Sequence, residues 1–137
     1  MWYPPESGWL RLNTDGSFAS DQGGFGALLR NDKAYFIIGV AGRLDLHSIN
    51  LLELKAIEKG LELGLTVQAT KIWVESDSTT VLAWVHDKRE IPWSAFRSLR
   101  KIKQSLAFLE NWKATHIHRE GNSLADLLAA YQSSKGE

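Results

Sequence analysis

The sequence contains no cysteine, only three prolines and no excess of either charge. Without cysteine the chain has no disulfide framework, no thiolate zinc site and no thiol nucleophile. The 16 basic residues balance 16 acidic ones, which argues mildly against nucleic-acid binding through bulk charge. The chain also lacks the ~18-residue apolar run of a membrane span and the basic-then-apolar start of a signal peptide. We therefore expect no membrane association and a location in the cytosol or nucleus.

The composition is that of one folded domain. Hydrophobic residues make up 44% of the 137 residues. A chain of this size buries roughly two-thirds of its unfolded surface, so the composition argues against intrinsic disorder. Pro4 and Pro5 predict an extended lead-in over residues 1–8, and the small polar residues 133–137 predict a flexible tail. We place the domain at residues 9–132.

Hydrophobic periodicity predicts strands first and helices later. Alternation over residues 9–13 and apolar runs at 25–29 and 35–40 predict three antiparallel strands. The later segments are predicted as helices at about 49–64, 78–85 and 94–110 (with Phe96 facing the core), strands at 71–75 and 115–118, and a closing helix that contains Leu124. The first long helix can serve as a crossover, so the fourth strand is expected beside and parallel to the first, in an α/β domain with a mixed sheet.

Four acidic residues stand at the ends of these predicted elements. Asp15 follows the first strand, Glu53 lies in the first turn of the first long helix, Asp77 ends the fourth strand, and Asp126 lies in the first turn of the last helix. Each has a local structural explanation, because Asp-Gly is a turn dipeptide and acids are common near helix starts. In particular, Glu53 lies three residues after Asn50, as in a capping box, and Asp77 could cap the next helix.

Together the four carboxylates predict a metal site. If the first and fourth strands are parallel neighbours, Asp15 and Asp77 emerge at one edge of the sheet, where such sheets place ligands. Carboxylates a few ångströms apart repel one another, and divalent cations remove that repulsion. Oxygen ligands without cysteine favour Mg²⁺ or Mn²⁺ over zinc. Two such ions ~3.5–4 Å apart support in-line phosphodiester chemistry.

Four segments in the same order carry a family resemblance, namely residues 12–17, 50–54, 75–78 and 118–129. They resemble ribonuclease H type 1 in its plant and retroelement-derived form, whose last motif reads Arg-Glu-x-Asn-x-x-Ala-Asp-x-Leu-Ala. The resemblance covers about residues 9–131. It implies a five-stranded mixed sheet of order 3-2-1-4-5 with helices on both faces. It also implies endonucleolytic hydrolysis of the RNA strand of RNA/DNA hybrids, giving 3′-hydroxyl and 5′-phosphate ends.

The resemblance also implies roles for particular residues. By motif match, Asp15, Glu53, Asp77 and Asp126 are the catalytic residues and hold two Mg²⁺ ions, with Mn²⁺ as a substitute. One ion would activate the attacking water, and the other would stabilise the leaving 3′ oxygen. Substrate contacts are implied for Gly16, Ser17, Asn50, Ser78, Thr79, Arg119 and Asn122. Asn50 would read the minor groove of the hybrid or cap its helix, and one residue can do both.

Two histidines and a basic segment leave alternatives open. Bacterial relatives carry an assisting histidine in a longer loop, so His118 or Arg119 would take its place here. His116 and His118 share one face of the predicted strand, but two ligands make a weak metal site, and a surface or packing role is favoured. Residues 88–113 carry a net charge of +5 and include Trp93, which fits either a surface that follows a nucleic-acid backbone or a solvated helix face. The neutral total thus hides an uneven distribution and does not exclude a nucleic-acid substrate.

Other functions and a wider context also stay open. A nuclease or strand transferase on the same fold is less favoured, because Asn122 and Asp126 have the ribonuclease H spacing. A catalytically silent hybrid-binding, RNA-binding or protein-interaction module is argued against by the presence of all four acids. The Pro-Pro lead-in resembles the linkers of retroelement polyproteins, so the chain could be a polyprotein fragment, and the domain itself is expected to be a monomer. The four tryptophans of the predicted elements, Trp9, Trp73, Trp84 and Trp112, are expected in the core.

Overall fold

The computed structural model describes residues 8–19, 22–31, 36–45 and 48–118. Three strands come first in these ranges: β1 (Trp9–Ala19), β2 (Gln22–Arg30) and β3 (Phe36–Leu44). They are followed by α1 (Ile49–Thr66), β4 (Lys71–Ser76), α2 (Thr79–Val85), a 3₁₀ turn (Trp93–Ala95), α3 (Phe96–Ala107) and β5 (Asn111–His116). None of the helices in this part of the chain is both long and apolar enough to cross a membrane.

The five strands form one mixed sheet in the order β3-β2-β1-β4-β5. The meander β1-β2-β3 is antiparallel, because short connections can join only neighbouring antiparallel strands. Helix α1 then carries the chain back across the sheet, so β4 lies parallel to β1 and β5 lies parallel to β4. This confirms the sheet order and the mixed α/β fold predicted from the sequence.

The core lies between one face of the sheet and the three helices. Alternate side chains of the central strands, including Leu10, Leu12 and Ile72, pack against Leu54, Ile57 and Leu61 of α1 and against apolar residues of α2 and α3. Helix α1 approaches the sheet closely at Gly60, where a Cβ atom would lie 2.5 Å from Leu12 Cδ1. The helices described here therefore share one face. The closing helix, predicted around Leu124, lies outside the described residues.

The third predicted helix was drawn too long, and the last predicted strand was placed too far along the chain. Helix α3 ends at Ala107 rather than near residue 110, and β5 covers Asn111–His116 rather than residues 115–118. The amides of Glu110 and Asn111 both donate to the Thr70 carbonyl, which starts β5 level with β4. Leu109 packs against the core from outside the helix, so its helical spacing was misleading.

Several aromatic side chains predicted in the core are not buried there. Phe96 is 56% exposed, so it does not belong to the buried face of α3. Among the four tryptophans only Trp84 is buried. Trp112 is partly buried against the core, whereas Trp9 and Trp73 lie in contact with cations. Lys113 Nζ stands 4.8 Å from the ring of Trp9 and 4.5 Å from that of Trp73.

Candidate active site

Three carboxylates that are far apart in sequence converge at one end of the sheet. Asp15 of β1, Glu53 of α1 and Asp77 after β4 each offer an oxygen atom, and these oxygens all lie within 4.8 Å of one another. Asp15 is 4% exposed and Glu53 is 6% exposed. The predicted fourth acid, Asp126, lies outside the described residues, as do Arg119 and Asn122. We call Asp15, Glu53 and Asp77 the acidic cluster.

The parallel pairing of β1 with β4 brings Asp15 and Asp77 together. The last paired residues of the two strands are Thr14 and Ser76, and each acid follows directly. Asp15 lies inside β1, so the prediction that it follows the strand in an Asp-Gly turn is wrong. Asp77 does not cap α2 either, because Ser78 is the cap and its Oγ accepts from Val81 N at 3.2 Å. Neither aspartate is explained by the local role considered for it.

Glu53 reaches the cluster from the second turn of α1. The helix cap is Ser48, whose Oγ accepts from Leu51 N at 3.3 Å. The prediction that Asn50 caps this helix is therefore wrong, as is the placement of Glu53 in the first turn and in a capping box. Ser48 and not Asn50 caps the helix, because Ser48 stands directly before the first helical residue, where a short hydroxyl side chain reaches the free amides of the first turn.

Gly16 allows α1 to come this close to β1. A Cβ atom at this position would lie 2.8 Å from Leu52 Cβ and 2.9 Å from the backbone nitrogen of Glu53. Any side chain here would push the start of α1, and Glu53 with it, away from Asp15. Gly16 thus has a packing role beside the acids, in addition to the substrate contact implied by the resemblance.

The chemistry of the cluster fits hard divalent cations. Carboxylates within 4.8 Å of one another repel strongly where burial reduces screening by water. Oxygen ligands alone favour Mg²⁺ or Mn²⁺, which prefer carboxylate and water to nitrogen or sulfur. The close approach at Gly16 provides the third carboxylate that such a site needs. The residues present therefore fit the metal predicted from the sequence.

A cleft of about 460 Å³ opens beside the cluster. Its walls include Glu53 and Asp77 and four further residues that the sequence singled out, namely Asn50, Ser78, Thr79 and His118. Ser78 Oγ and Asn50 Oδ1 lie 3.3 Å apart, so the serine hydroxyl orients the amide of Asn50. Ser17 follows Gly16 within β1 and is partly buried. The cleft also contains Ile49, Thr80, His116 and Ile117, which the motifs did not identify as substrate contacts.

His116 and His118 both line this cleft and are both exposed. Their ring centroids are 5.7 Å apart, with the planes nearly perpendicular. His116 ends β5, and His118 lies beyond the strand. A packing role is therefore wrong, and the surface position predicted as the alternative is the one observed.

A second concave surface lies on the outside of α3. Trp93, Phe96, Arg97 and Arg100 line about 670 Å³ of open space. Trp93 lies in the 3₁₀ turn before α3, and Phe96, Arg97 and Arg100 lie on one side of the first turns of α3. Trp93 is 83% exposed, and both arginines are exposed. We call these four residues the aromatic–arginine surface.

A hydrogen bond connects the approach to this surface with the cleft. Arg89, in the loop that leads to Trp93, donates from Nη1 to Thr80 Oγ1 at 3.2 Å. Thr80 is part of the cleft wall. Four residues span at most ~14 Å of extended chain, so the aromatic–arginine surface begins near the cleft.

Sequence reasoning missed three polar residues behind the acidic cluster. Asn13 and Glu75 are buried, and Arg30 is partly buried. Asn13 and Glu75 each stand two positions before one of the cluster aspartates. A polar residue at a strand position that is expected to be buried was the signal that could have identified them.

Comparisons with known proteins place the chain in a family. The model of a family described as reverse transcriptase-like matches residues 13–132. An Arabidopsis thaliana protein that carries a ribonuclease H name is 28% identical over 97% of this chain, and the chain spans only 22% of that relative. The match to the family model covers most of the domain and includes all four predicted acids.

Solved structures share the fold at low sequence identity. The N-terminal RNase H domain of a Mycobacterium tuberculosis protein superposes with a TM-score of 0.86 at 16% identity, over 91% of this chain and 93% of that one. LC11-RNase H1, crystallised with an RNA/DNA hybrid, gives 0.82 at 19% identity, over 92% and 97% of the two chains. With its sequence matched by the family model and its fold matched by these domains, the chain belongs to the reverse transcriptase-like family of ribonuclease H-like proteins.

Proposed function

We propose that this domain hydrolyses the RNA strand of RNA/DNA hybrids endonucleolytically, with Mg²⁺ as its metal, to give 3′-hydroxyl and 5′-phosphate ends. The observation that carries this proposal is the convergence of Asp15, Glu53 and Asp77 within 4.8 Å at the edge of an open cleft. The ribonuclease H name of the plant relative and the hybrid bound by LC11-RNase H1 support the choice of substrate.

The acidic cluster would hold the metal. Asp15, Glu53 and Asp77 supply three carboxylates, and Asp126 is proposed as the fourth from its motif. Two divalent ions bound there would supply an activated water and stabilisation of the leaving oxygen. Asp15 and Glu53 are buried, so bulk water screens their carboxylate charges only weakly. Their attraction for a bound divalent cation is therefore stronger than it would be at the surface.

The cleft wall offers groups that distinguish RNA from DNA. The 2′-hydroxyl both donates and accepts hydrogen bonds, so polar side chains along the RNA strand can recognise it. Asn50, Ser78 and Thr79 provide an amide and two hydroxyls beside the acids. Because Asn50 Oδ1 faces Ser78 Oγ, its Nδ2 is proposed to donate to the acceptors of the minor groove.

The aromatic–arginine surface is proposed to hold the hybrid outside the cleft. Arginine binds phosphate through its planar set of donors, and aromatic rings add contact area. The exposed Arg97 and Arg100 support this interpretation over a solvated face, because the exposed Trp93 and Phe96 lie beside them. A protein without net charge is expected to bind its hybrid with modest, salt-sensitive affinity.

The test is cleavage of a labelled RNA/DNA hybrid with Mg²⁺ or Mn²⁺, in wild type and Asp77→Asn. Wild type should release RNA fragments with 5′-phosphate ends, and Asp77→Asn should lose this activity. Asp87→Asn is the matched control, because Asp87 is exposed and has a φ of 58°, which asparagine tolerates. It should cleave as wild type does.

Two outcomes would contradict the proposal. Robust cleavage by Asp77→Asn would exclude the acidic cluster as the catalytic site. A wild type that binds hybrid but neither binds Mg²⁺ nor cleaves would favour the catalytically silent module instead. A monomer is expected on gel filtration, and the 22% span of the plant relative is compatible with a place in a longer polypeptide.

A further inference from the structure

Three hydrogen-bonded side chains cross the sheet behind the acidic cluster. Arg30 of β2 donates from Nε to Asn13 Oδ1 of β1 at 2.9 Å. Asn13 in turn donates from Nδ2 to Glu75 Oε1 of β4 at 3.2 Å. We call Arg30, Asn13 and Glu75 the polar bridge, because they connect the three central strands.

The polar bridge lies one step behind the acids on the same strands. Asn13 and Glu75 are direct partners in the parallel register of β1 and β4. Since side chains two positions apart share a face of a strand, Asn13 lies on the side of Asp15, and Glu75 precedes Asp77 by the same spacing. The two strands that carry the aspartates are thus tied together by side chains immediately before the site.

The amide of Asn13 is fixed in one orientation. Its oxygen accepts from Arg30 while its nitrogen donates to Glu75, so a flip would replace both hydrogen bonds with unfavourable contacts. Asn13 is 2% exposed and Glu75 is 7% exposed, so water cannot easily replace a lost partner. Within the described residues no lysine or arginine forms an ion pair with Glu75, and the amide of Asn13 stands between its carboxylate and Arg30.

Packing alone does not account for polar residues at these positions. Apolar residues of similar volume at a buried position often give equal or greater stability. Two residues before Asn13 on β1, Arg11 stands 4.8 Å from the ring of Trp73, its register partner on β4. This pair is connected by a cation–π contact and not by a hydrogen bond between the two side chains. A continuous chain of side-chain hydrogen bonds from β2 through β1 to β4 is what distinguishes the residues beside the acids.

We propose that Arg30, Asn13 and Glu75 are positioning residues that fix the separation of Asp15 and Asp77 and thereby the divalent-ion affinity of the acidic cluster. This inference rests on the proposed metal-dependent function. Mutual repulsion pushes the two aspartates apart, and hydrogen bonds across β1 and β4 resist that movement. Hydrogen-bonded groups outside the ligands typically change metal affinity 10–100-fold when removed.

The first test is calorimetric titration of the protein with Mn²⁺ alone. Asn13→Leu and Glu75→Leu should bind Mn²⁺ about 10–100-fold more weakly than wild type. Glu75→Gln should retain wild-type affinity, because its amide oxygen can still accept from Asn13. Thr115→Val is the matched control, since Thr115 is the register partner of Glu75 on β5 but accepts its 2.7 Å hydrogen bond from Trp73 Nε1 and not from a residue of the polar bridge. This control should bind Mn²⁺ as wild type does.

The second test separates positioning from loss of folding. With hybrid as substrate, the Mg²⁺ concentration for half-maximal rate should rise about 10–100-fold in Asn13→Leu. KM for hybrid at saturating Mg²⁺ should stay unchanged, and kcat should recover there. If Asn13→Leu does not fold, Arg30→Met replaces it, because Arg30 is only partly buried at the end of β2.

The outcomes distinguish this inference from the proposed function. A folded Asn13→Leu or Arg30→Met with wild-type Mn²⁺ affinity would overturn the polar bridge alone. Equal losses in Glu75→Gln and Glu75→Leu would also overturn it, because the charge of Glu75 rather than its hydrogen bond would then matter. A wild type that binds no divalent ion would overturn the proposed function, and the positioning role with it.

Discussion

Ser98 of α3 donates a 2.8 Å hydrogen bond to the carboxylate of Glu58 in α1, and this bond joins two of the three helices that pack on the sheet. Glu58 is 1% exposed, and Lys55 Nζ lies 2.8 Å from the same oxygen. Lys59 and Lys101 approach its second oxygen at 3.8 and 3.9 Å. The buried carboxylate of Glu58 thus accepts a hydrogen bond from a serine of α3 and lies close to lysines of both α1 and α3.

The first prediction concerns the pH dependence of stability at Glu58. Burial alone would raise the pKa of this carboxyl, but the hydrogen bonds from Lys55 and Ser98 and the lysine charges lower it below its ordinary value of 4.5. Because the folded-state pKa is lowered, the stabilisation is complete above about pH 4.5 and is lost as pH falls through the folded-state value.

The measurement is urea unfolding of wild type and Glu58→Gln across pH. At pH 7 the substitution should lower the free energy of unfolding by about 1–3 kcal/mol. That difference should shrink as pH falls below about 4.5. Glu62→Gln is the control, because its ion pair with Lys59 is half exposed and should change stability by less than ~1 kcal/mol. A pH-independent difference at Glu58 would contradict the role of its charge.

The second prediction is that Gly16→Ala disables the site through packing. The added Cβ meets the backbone nitrogen of Glu53 at 2.9 Å, so the start of α1 must move. We expect a loss of about 1–3 kcal/mol in unfolding free energy and a much larger proportional loss of Mn²⁺ affinity and cleavage. Thermal unfolding, Mn²⁺ titration and a cleavage assay on the same preparation would check this. Wild-type activity in Gly16→Ala would show that α1 tolerates the extra atom.

The third prediction concerns the metal-free acidic cluster. Asp77→Asn removes one of three mutually repelling charges, so the metal-free variant should be more stable than wild type by about 0.5–2 kcal/mol. Adding Mn²⁺ at 100 times its Kd should stabilise wild type by about 2.7 kcal/mol and the variant by much less. Thermal unfolding with EDTA and with Mn²⁺ gives both numbers. A metal-free variant that is less stable than wild type would mean that Asp77 is held mainly by attractive contacts.

The fourth prediction concerns the aromatic–arginine surface. Replacing Arg97 and Arg100 with glutamine should raise KM for hybrid and reduce the slope of log affinity against log salt by about 0.7–0.9 per lost phosphate contact. Trp93→Ala should weaken binding without changing that slope. Lys113→Gln serves as the charge control, because Lys113 lies over Trp9 and Trp73 on the sheet. An unchanged slope in the double arginine variant would place the hybrid elsewhere.

Much of this fold was accessible from local patterns. The switch from period two to helical spacing identified the meander and the crossover, and the crossover allowed β4 to lie beside β1. That adjacency was enough to predict that Asp15 and Asp77 meet. The place of Glu53 near the start of α1 led us to expect it in the cluster, but no local pattern states how deeply a helix packs. Gly16 permits that depth by lacking a side chain.

The errors have a common physical cause, which is competition between local signals and tertiary partners. Asn50 and Ser48 are both residue types that cap helices. Ser48 stands directly before the first helical residue, so its hydroxyl makes the capping hydrogen bond. Leu109 continues a helical spacing but packs from a turn, because the carbonyl of Thr70 captures the next two amides. Tryptophan is a residue type expected in the core, but the rings of Trp9 and Trp73 contact the side chain of Lys113. No local sequence pattern indicated that Lys113 would lie beside them.

The acidic cluster takes its members from positions 15, 53 and 77, so its assembly depends on contacts between distant parts of the chain. Asp15 reaches Asp77 only after α1 has carried β4 back to β1, and such long-range pairings form late because loop closure must precede them. A nascent or partly folded chain therefore contains all the acids before it contains a site. The proposed cleavage would then begin only when β1 and β4 have paired, so activity would report the formation of that long-range pairing.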